Sequence, residues 1–491
     1  MFESAELGHS ISDREYKREE PKLREALLMA QYDLLASKEL PVIVIIGGVD
    51  GAGKGETINI LNAWMDPRHI VTHAFGEMSD EERERPRMWR YWRALPPKGR
   101  IGILFGAWHT DPIVNRVQGK IGDAELEMAT EEIVRFERML VAEGVLILKF
   151  WFHLSKKAQK KRLKALEADP RTRWRVTKTD WACFKIYERF RTVSENVLRE
   201  TSTGEAPWMV VEGTDPNYRY LTVGRALLKA LRERLEGSRP AVVRPAALPP
   251  PAMDGRTVLS RVDYHQALAR KQYTRALETY QGKLNLLTRR KKFRNRSLII
   301  VFEGVDAAGK GGSIRRVTGA LDSRHYQVIP VAAPTEEERA QPYLWRFWRH
   351  LPRTGRVTIF DRSWYGRVMV ERVEKLCSEQ DWMRAYHEIN DFEEQLIEAG
   401  GIVVKFWLTI TKGEQLRRFR LRQRTPFKSF KITPEDWRNR KKWDEYERAV
   451  CDMIERTSTE TAPWYVIPAN DKYHARIELL KTLCRCVDEA L

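Results

Sequence analysis

Short apolar runs alternate with longer stretches of helical spacing along the whole chain. In the first half, the runs Val42–Ile46, Ile101–Phe105, Val145–Phe152 and Trp208–Val211 have the length and continuous apolar character of buried strands. Amphipathic stretches such as Glu125–Ala142 separate them and have the length of helices. Strands that alternate with helices form parallel sheets covered on both faces. The pattern therefore predicts an α/β fold.

The second half repeats this order. Its apolar runs are Leu298–Phe302, Val357–Phe360, Ile402–Leu408 and Trp464–Ile467, and its long amphipathic stretch is Trp382–Ala399. An offset of 256 residues aligns the two halves without a gap from the first strand to the last. Self-similarity over such a length indicates two copies of one domain. We expect a parallel sheet flanked by helices in each copy.

A proline-rich segment separates the copies. Ser238–Gly255 contains five prolines, which cannot donate backbone hydrogen bonds to helices or sheets. Such composition is typical of a semi-rigid linker. The predicted boundaries are residues 1–237 for the first domain, 238–255 for the linker and 256–491 for the second domain.

A phosphate-binding loop follows the first strand of the second copy. The spacing G-x-x-x-x-G-K, between a buried strand and a helix, lets backbone amides and a helix N-terminus converge on phosphate oxygens. The Ser or Thr that usually follows the lysine and holds Mg²⁺ is Gly311 here, so the metal must depend on carboxylates such as Asp306. The predicted loop residues are Gly304, Ala307, Ala308, Gly309, Lys310, Gly311 and Gly312.

A second acidic element ends a later strand of the second copy. Asp361 follows an apolar run, where P-loop enzymes place a metal-binding carboxylate beside the phosphate loop. Arg362 can neutralise charge on a transferring phosphoryl group through its planar guanidinium. A surface ion pair at a strand end is the alternative interpretation.

The first copy keeps only part of this set. Its loop retains Asp50 and Lys54, but Phe105 and Gly106 stand where the second copy has the strand-end carboxylate and guanidinium. Asp111 lies six positions further on and is a poor substitute. Because both charged groups are missing, we predict that the first copy is degenerate and catalytically inactive.

A strongly basic segment follows the long helix of the second copy. Residues 412–442 contain twelve Lys and Arg against three acids, in the place where P-loop kinases carry a lid over the phosphates. So many bases suit a longer phosphate chain than that of ATP, although a solvated basic face is the alternative. The candidate lid residues are Arg417, Arg418, Arg422 and Arg424.

The overall charge agrees with a polyanionic partner. Lys and Arg number 86 against 68 Asp and Glu, a net charge of +18, which suits nucleic acid, an acidic membrane or a phosphate chain. Aromatic residues make up 10% of the chain and argue against global disorder. No apolar run has the length of a membrane-spanning helix. Five scattered cysteines, without a CxxC pair, predict a cytoplasmic location.

Four segments of the second copy resemble the polyphosphate kinase 2 family. They are GVDAAGKGG, FDRSWYGR, KFWLTITKGEQLRRF and TSTETAPWYVIPANDKYHAR. The resemblance implies a P-loop kinase core with a helical lid that transfers phosphate between inorganic polyphosphate and nucleotides. For a fusion of two copies it implies phosphorylation of AMP to ADP.

The same resemblance implies roles for individual residues. Asp306, Lys310, Asp361 and Arg362 match the family's catalytic positions, and the two aspartates are the expected ligands of Mg²⁺, or of Mn²⁺ in its place. Expected partners are polyphosphate and AMP or ADP, with neither membrane nor nucleic acid, in a homodimer. Two alternatives stay open: an ATP-dependent nucleoside monophosphate kinase, and a non-catalytic basic P-loop module that binds nucleic acid.

Overall fold

A computed structural model describes residues 1–237 and 257–491. The predicted linker, residues 238–255, lies outside the described residues, and the domain boundaries stay a prediction. The described residues form two compact units, one built mainly from each copy. Within the described ranges, no helix combines the length and the apolar character needed to cross a bilayer.

The first copy contains a parallel sheet with strands in the order β2-β3-β1-β4-β5. The strands are β1 (Val42–Gly48), β2 (Ile70–Ala74), β3 (Ile101–Phe105), β4 (Leu146–His153) and β5 (Trp208–Glu212). The helices are α1 (Asp13–Ser37), α2 (Lys54–Trp64), α3 (Asp80–Arg83), α4 (Trp89–Arg93), α5 (Thr110–Val117), α6 (Asp123–Ala142), α7 (Lys156–Ala168), α8 (Lys178–Lys185), α9 (Tyr187–Thr201) and α10 (Pro216–Leu235).

The second copy has the same topology, with strands in the order β10-β9-β6-β8-β7. The strands are β6 (Ser297–Gly304), β7 (Tyr326–Pro330), β8 (Val357–Asp361), β9 (Gly401–Thr409) and β10 (Trp464–Pro468). The helices are α11 (Arg270–Arg289), α12 (Lys310–Thr318), α13 (Glu336–Arg339), α14 (Trp345–Trp348), α15 (Val370–Val373), α16 (Glu379–Glu398), α17 (Lys412–Gln423), α18 (Pro434–Lys441), α19 (Trp443–Thr457) and α20 (Lys472–Glu489). The predicted fold class is confirmed.

The central strand of each sheet explains the continuous apolar runs. β6 pairs in parallel with β8 on one side and β9 on the other, and helices cover both faces. Leu298, Ile300 and Phe302 have no exposed surface and pack with α12 and α20 residues in one core. A strand buried on both faces has no polar side to alternate with, as the sequence indicates.

The edge strands β2 and β7 are the elements that the apolar pattern reveals least. Tyr326–Pro330 has no fully buried position, and Gln327 and Val328 are exposed. β7 pairs only with β8 and contributes no fully buried side chain to the core. A short strand of this kind has no apolar run to mark it.

The tryptophans that both copies share at three-residue spacing in α4 and α14 are mainly core residues. Trp89, Trp92 and Trp348 are buried, and Trp345 is half-buried. Helix α13 begins after Thr335, which caps its N-terminus. The Thr335 side chain accepts a hydrogen bond from the backbone of Glu338, whose carboxylate accepts one in return.

A buried ion pair recurs in both copies at the sequence Lys-Phe-Trp, which begins at Lys149 in the first copy and at Lys405 in the second. The Nζ atom of Lys405 lies 2.7 Å from the Glu393 carboxylate and donates to the Thr457 carbonyl at 2.6 Å. In the first copy, Lys149 lies 2.6 Å from the Glu137 carboxylate. Because the copy without the strand-end Asp-Arg retains this pair, it serves the fold rather than the chemistry.

Candidate active site

The strand register brings the two acidic elements of the second copy together. Phe302 of β6 lies beside Asp361 of β8. The phosphate loop and the Asp-Arg-Ser sequence (residues 361–363) therefore leave the same edge of the sheet. The backbone amide of Arg362 donates to the Phe302 carbonyl at 3.0 Å and continues this pairing past the strand end. Ligands of open parallel sheets bind at this carboxyl edge.

Glycine is required where the loop leaves the strand. Gly304 has φ +148°, and a Cβ atom there would overlap the Leu408 carbonyl of the neighbouring strand. Gly309 takes the left-handed conformation just before α12. The loop therefore folds back over the helix N-terminus, and the Nζ atom of Lys310 donates to the Gly304 carbonyl at 2.6 Å. The loop residues from Val305 to Gly312 line one cavity.

This anion cavity has a volume of about 620 Å³ and an excess of positive charge. Its lining includes the predicted loop residues from Ala307 to Gly312. The cationic side chains in its lining are Lys310, Arg315, Arg316, Arg362, Arg422, Lys431 and Arg476, and the acidic ones are Asp306, Asp361 and Asp436. Such a balance favours a ligand with several negative charges, each close to a cation.

Arg362 lies among carboxylates at the floor of this cavity. Its Nη2 atom is 3.6 Å from Oδ1 of Asp306, whose Oδ2 accepts a hydrogen bond of 3.0 Å from Asn439. Partial burial opposes the charged guanidinium, but Asp306 and Glu303 outweigh it and raise the pKa of Arg362. Arg362 also has φ +65°, an uncommon backbone conformation for a residue other than glycine. It is thus a permanently charged, half-exposed group beside the phosphate loop.

The donor set around the cavity fits a magnesium ion. Asp306 and Asp361 both line the cavity, and carboxylate oxygens are the ligands that Mg²⁺ takes in proteins. Residues 1–237 and 257–491 contain no cluster of three or more His, Cys, Asp or Glu arranged to hold a metal. Mg²⁺ is usually held by one or two carboxylates together with substrate phosphates and water. The two aspartates are a suitable protein contribution of that kind.

Glu303 is a site residue that the sequence analysis missed. It is 5% exposed, and its Oε1 atom accepts a hydrogen bond of 2.9 Å from the Ser363 hydroxyl. Burial raises the pKa of this carboxyl, although Lys310 partly offsets the effect. One signal was available: an acid interrupts an apolar strand, and the first copy has Gly47 at the same position.

A second cavity of about 510 Å³ adjoins the first. The two share Asp306, Lys310 and Arg362 in their linings. The remaining wall is largely apolar and aromatic, with Met369 and Trp443 among its residues. Charged residues also line it, among them Glu303, Lys412, Glu435 and Glu447. A concave cavity of this volume, with a largely apolar wall and several charged groups, has the character of a small-molecule site.

The family model for polyphosphate kinase 2 (PPK2) matches residues 10–238 and 267–491. This chain belongs to the polyphosphate kinase 2 family. It is 56% identical over 491 residues to the polyphosphate:AMP phosphotransferase of Pseudomonas aeruginosa (strain PAO1), covering 100% of this chain and 99% of that protein. The polyphosphate:AMP phosphotransferase of Acinetobacter johnsonii is 36% identical, over 95% of this chain and 96% of that protein.

A crystal structure named for polyphosphate kinase 2 from Pseudomonas aeruginosa PA01 has the same fold. Its TM-score against this chain is 0.90 at 53% sequence identity, with 100% of this chain and 99% of that chain covered. Both copies of this polyphosphate kinase 2 chain are therefore matched in sequence and in fold.

The structure separates the four predicted lid arginines of this polyphosphate kinase 2 chain. Arg422 lines the anion cavity. Arg418 is 2% exposed and lies behind the loop, where it donates to the Ala307 and Ala308 carbonyls at 3.0 and 2.9 Å. Arg417 forms an ion pair with a glutamate of its own helix, and Arg424 is exposed. The roles of the four arginines toward phosphate stay predictions. Arg418 has a structural role, because it binds the carbonyls of the phosphate loop.

The first copy holds a smaller, mainly apolar cavity at the equivalent place. A cavity of about 280 Å³ is lined by Asp50, Lys54, Phe105 and Gly106, together with further apolar residues. The Nζ atom of Lys54 lies 5.8 Å from the centre of the Phe105 ring, where the second copy has the Asp361 carboxylate. The retained lysine therefore lies near an aromatic ring, at a position where the second copy has a carboxylate.

Proposed function

We propose that this chain transfers the terminal phosphate of inorganic polyphosphate to AMP and releases ADP. One observation carries the proposal: a strongly cationic cavity adjoins a nucleotide-sized apolar cavity, and Lys310 and Arg362 belong to both. The full-length relatives named polyphosphate:AMP phosphotransferase support the same reaction.

In this proposal the donor occupies the anion cavity. The loop amides and Lys310 bind the terminal phosphates of the chain at the N-terminus of α12. Arg316, Arg422 and Arg476, which also line the cavity, bind the phosphates that follow. A chain of phosphates matches this set of cations better than the three phosphates of ATP.

The acceptor occupies the adjoining cavity, with its base against the apolar wall and its phosphate toward Arg362. An oxygen of the AMP phosphate attacks the terminal phosphorus of polyphosphate and forms a new P–O bond. The bond to the next phosphate breaks, and the donor leaves one phosphate shorter. The attacking oxygen is already ionised at neutral pH, so positioning and charge neutralisation supply the catalysis.

The divalent ion belongs to this proposal through Asp306 and Asp361, which would hold Mg²⁺ or Mn²⁺. When bound, the ion neutralises negative charge on the phosphates during transfer. Arg362 adds a charge of its own near the transferred group. Glu303, buried next to Ser363, fixes the spacing between the phosphate loop and the Asp-Arg-Ser sequence.

One assay tests the proposal against both alternatives. The protein is incubated with AMP and Mg²⁺, with polyphosphate or ATP as donor, and ADP is quantified. We expect ADP with polyphosphate. ADP formed with ATP as donor, but not with polyphosphate, would favour a nucleoside monophosphate kinase instead. Stoichiometric binding of single-stranded nucleic acid without any ADP would favour the non-catalytic module.

Two further predictions accompany this function. A cytoplasmic location would place the enzyme with its nucleotide substrate, and the scattered cysteines suit it. A homodimer is expected from the family resemblance, and the mass of the protein in solution tests it.

A further inference from the structure

The phosphate loop of the first copy contains a carboxylate that the second copy lacks. Glu56 lies in the first turn of α2, at the position of Gly312. Its two carboxylate oxygens are held by three arginines. The contacts are Arg219 Nη2 at 2.8 Å, Arg162 Nη2 at 2.9 Å and Arg175 Nη1 at 3.2 Å.

These arginines come from the parts of the first copy that surround the loop. Arg162 is on α7 and aligns with Arg418 of the second copy, and Arg175 aligns with Lys431, which lines the anion cavity there. Arg219 is on α10 and is 2% exposed. Helix α7, the turn that contains Arg175 and helix α10 are thus joined to the loop through a single carboxylate.

The buried arginine also replaces a structural contact of the second copy. Arg219 donates to the Gly213 carbonyl at 2.7 Å, while in the second copy Arg418 donates to the equivalent carbonyl, that of Ala469, at 2.6 Å. A Cβ atom at Gly53 would overlap the Arg219 guanidinium. The contact of Arg219 leaves Arg162, the counterpart of Arg418, free to bind Glu56.

Most cations of the anion cavity are missing from the first copy. The positions of Arg315, Arg316, Arg362, Arg422 and Arg476 carry Asn59, Ile60, Gly106, Leu166 and Tyr220. The two positions that keep a cation are Lys54 and Arg175. Lys54 donates to loop carbonyls, including that of Val49 at 3.0 Å, and Arg175 binds Glu56. Both retained cations therefore already have hydrogen-bond partners within the protein.

We infer that Glu56 acts as a built-in anion that takes the place of phosphate in the first copy. Its carboxylate accepts hydrogen bonds from three arginines around the loop and connects α7 and the turn that contains Arg175 to α2. The first copy then binds no phosphate chain, and each polypeptide engages one, in its second copy. The identity of that chain rests on the proposed function, whereas the exclusion from the first copy rests on Glu56 itself.

Titration of the full-length protein with inorganic tripolyphosphate, followed by calorimetry, tests this inference. We expect one site per wild-type chain and one additional, weaker site in Glu56→Gln, because the substitution keeps the shape and removes the charge. Glu167→Gln is the matched control, since Glu167 is an exposed residue of α7, the helix that carries Arg162, and its replacement changes the net charge equally. The control should retain the wild-type stoichiometry.

A double variant protects the test against misfolding. Glu56→Gly with Arg219→Ala installs the second copy's residues, Gly312 and Ala475, at both positions. Circular dichroism confirms that each variant is folded. ADP formation by all variants should stay within about twofold of wild type, because the second copy is untouched. A gain of one site in either folded variant supports the inference.

Two results would overturn the inference. One is a second tripolyphosphate site already present in the wild type. The other is an unchanged stoichiometry in both folded variants. Failure of the proposed function has a different signature: no preparation would form ADP from polyphosphate and AMP, whatever the difference in binding between Glu56→Gln and wild type.

Discussion

The Ser363 hydroxyl donates a hydrogen bond of 2.9 Å to the buried carboxylate of Glu303. Glu303 precedes the phosphate loop and Ser363 follows the strand-end Asp-Arg, so this bond joins the two sequences that carry the proposed chemistry. A buried acid is costly to ionise. The buried Glu303 therefore lowers the stability of the fold, and in return it holds the two sequences of the site together.

Glu303→Gln is expected to stabilise the protein and slow the enzyme. Burial raises the pKa of Glu303 above its ordinary value of 4.5, so the folded state favours the protonated acid. The wild type loses this contribution as the pH rises through the folded-state pKa, whereas glutamine has no charge to bury. The advantage of the variant should grow as pH rises above 4.5 and reach about 1 kcal/mol, a typical single-substitution effect. Denaturant unfolding at several pH values measures it.

The exposed residue Glu445 of α19 provides the control for this experiment. Glu445→Gln changes the net charge equally but should move the free energy of unfolding by no more than about 0.5 kcal/mol at any pH. A Glu303→Gln variant that is less stable than wild type at pH 8 would contradict the argument. So would undiminished ADP formation.

The two loop lysines separate the roles of the copies. Lys310→Ala removes a cation from the cavity that holds the donor in our proposal, and we expect polyphosphate-dependent ADP formation to fall by about 100-fold or more. Lys54→Ala removes the aligned lysine of the first copy, which faces Phe105, and should leave the rate within about twofold of wild type. Initial rates of ADP formation by the two full-length variants, compared with wild type, measure this difference. Equal losses in both variants would show that the first copy also reacts.

Asp361 is the acid on which the proposed magnesium binding depends most. Asp361→Asn keeps the size of the side chain and removes its charge, so the fold should survive while ADP formation falls by about 100-fold or more. The Mg²⁺ concentration that gives half-maximal rate should rise as well. Asp111→Asn, in the first copy, is the control and should change neither quantity. Undiminished turnover of Asp361→Asn would refute the assignment of the site.

Much of the site was predictable because its signals are local. The glycines of the loop, Lys310 and the strand-end Asp361 stand at fixed spacings from buried strands, and parallel pairing brings strand ends to one edge. The repeat made Phe105 visible as a substitution for that acid. What composition could not show is which way each arginine of a helix faces. Arg418 belonged to the basic lid by sequence, yet its side chain turns beneath the loop, because its planar fork fits carbonyls from two separate segments.

The strands β2 and β7 and the residue Glu303 were not predicted, for a different reason. β7 has few buried positions, so its strand character comes from pairing with β8 rather than from an apolar run. Glu303 is a single acid in an apolar strand, and its importance depends on a contact with Ser363 sixty residues later in the chain. Long-range contacts of this kind leave no periodic signal in one sequence.

The buried lid arginine gives the last prediction. Arg418 donates to the carbonyls of Ala307, Ala308, Ala469 and Asn470 and pairs with Glu414 at 2.6 Å, so it connects the phosphate loop to the end of β10. Arg418→Ala would leave those acceptors without donors and the carboxylate without its buried partner. We expect a loss of about 3 kcal/mol in the free energy of unfolding.

Arg418→Lys should recover little of this stability, because an ammonium group cannot reach carbonyls on both sides as the planar guanidinium does. Arg417→Ala is the matched control: Arg417 is the adjacent residue and pairs with the same glutamate, but its side chain is 63% exposed, so the loss should be below about 1 kcal/mol. Denaturant unfolding of the three variants measures the difference. Full stability of Arg418→Ala, or full rescue by lysine, would show that the loop holds its shape without this arginine and that Arg418 is available to phosphate after all.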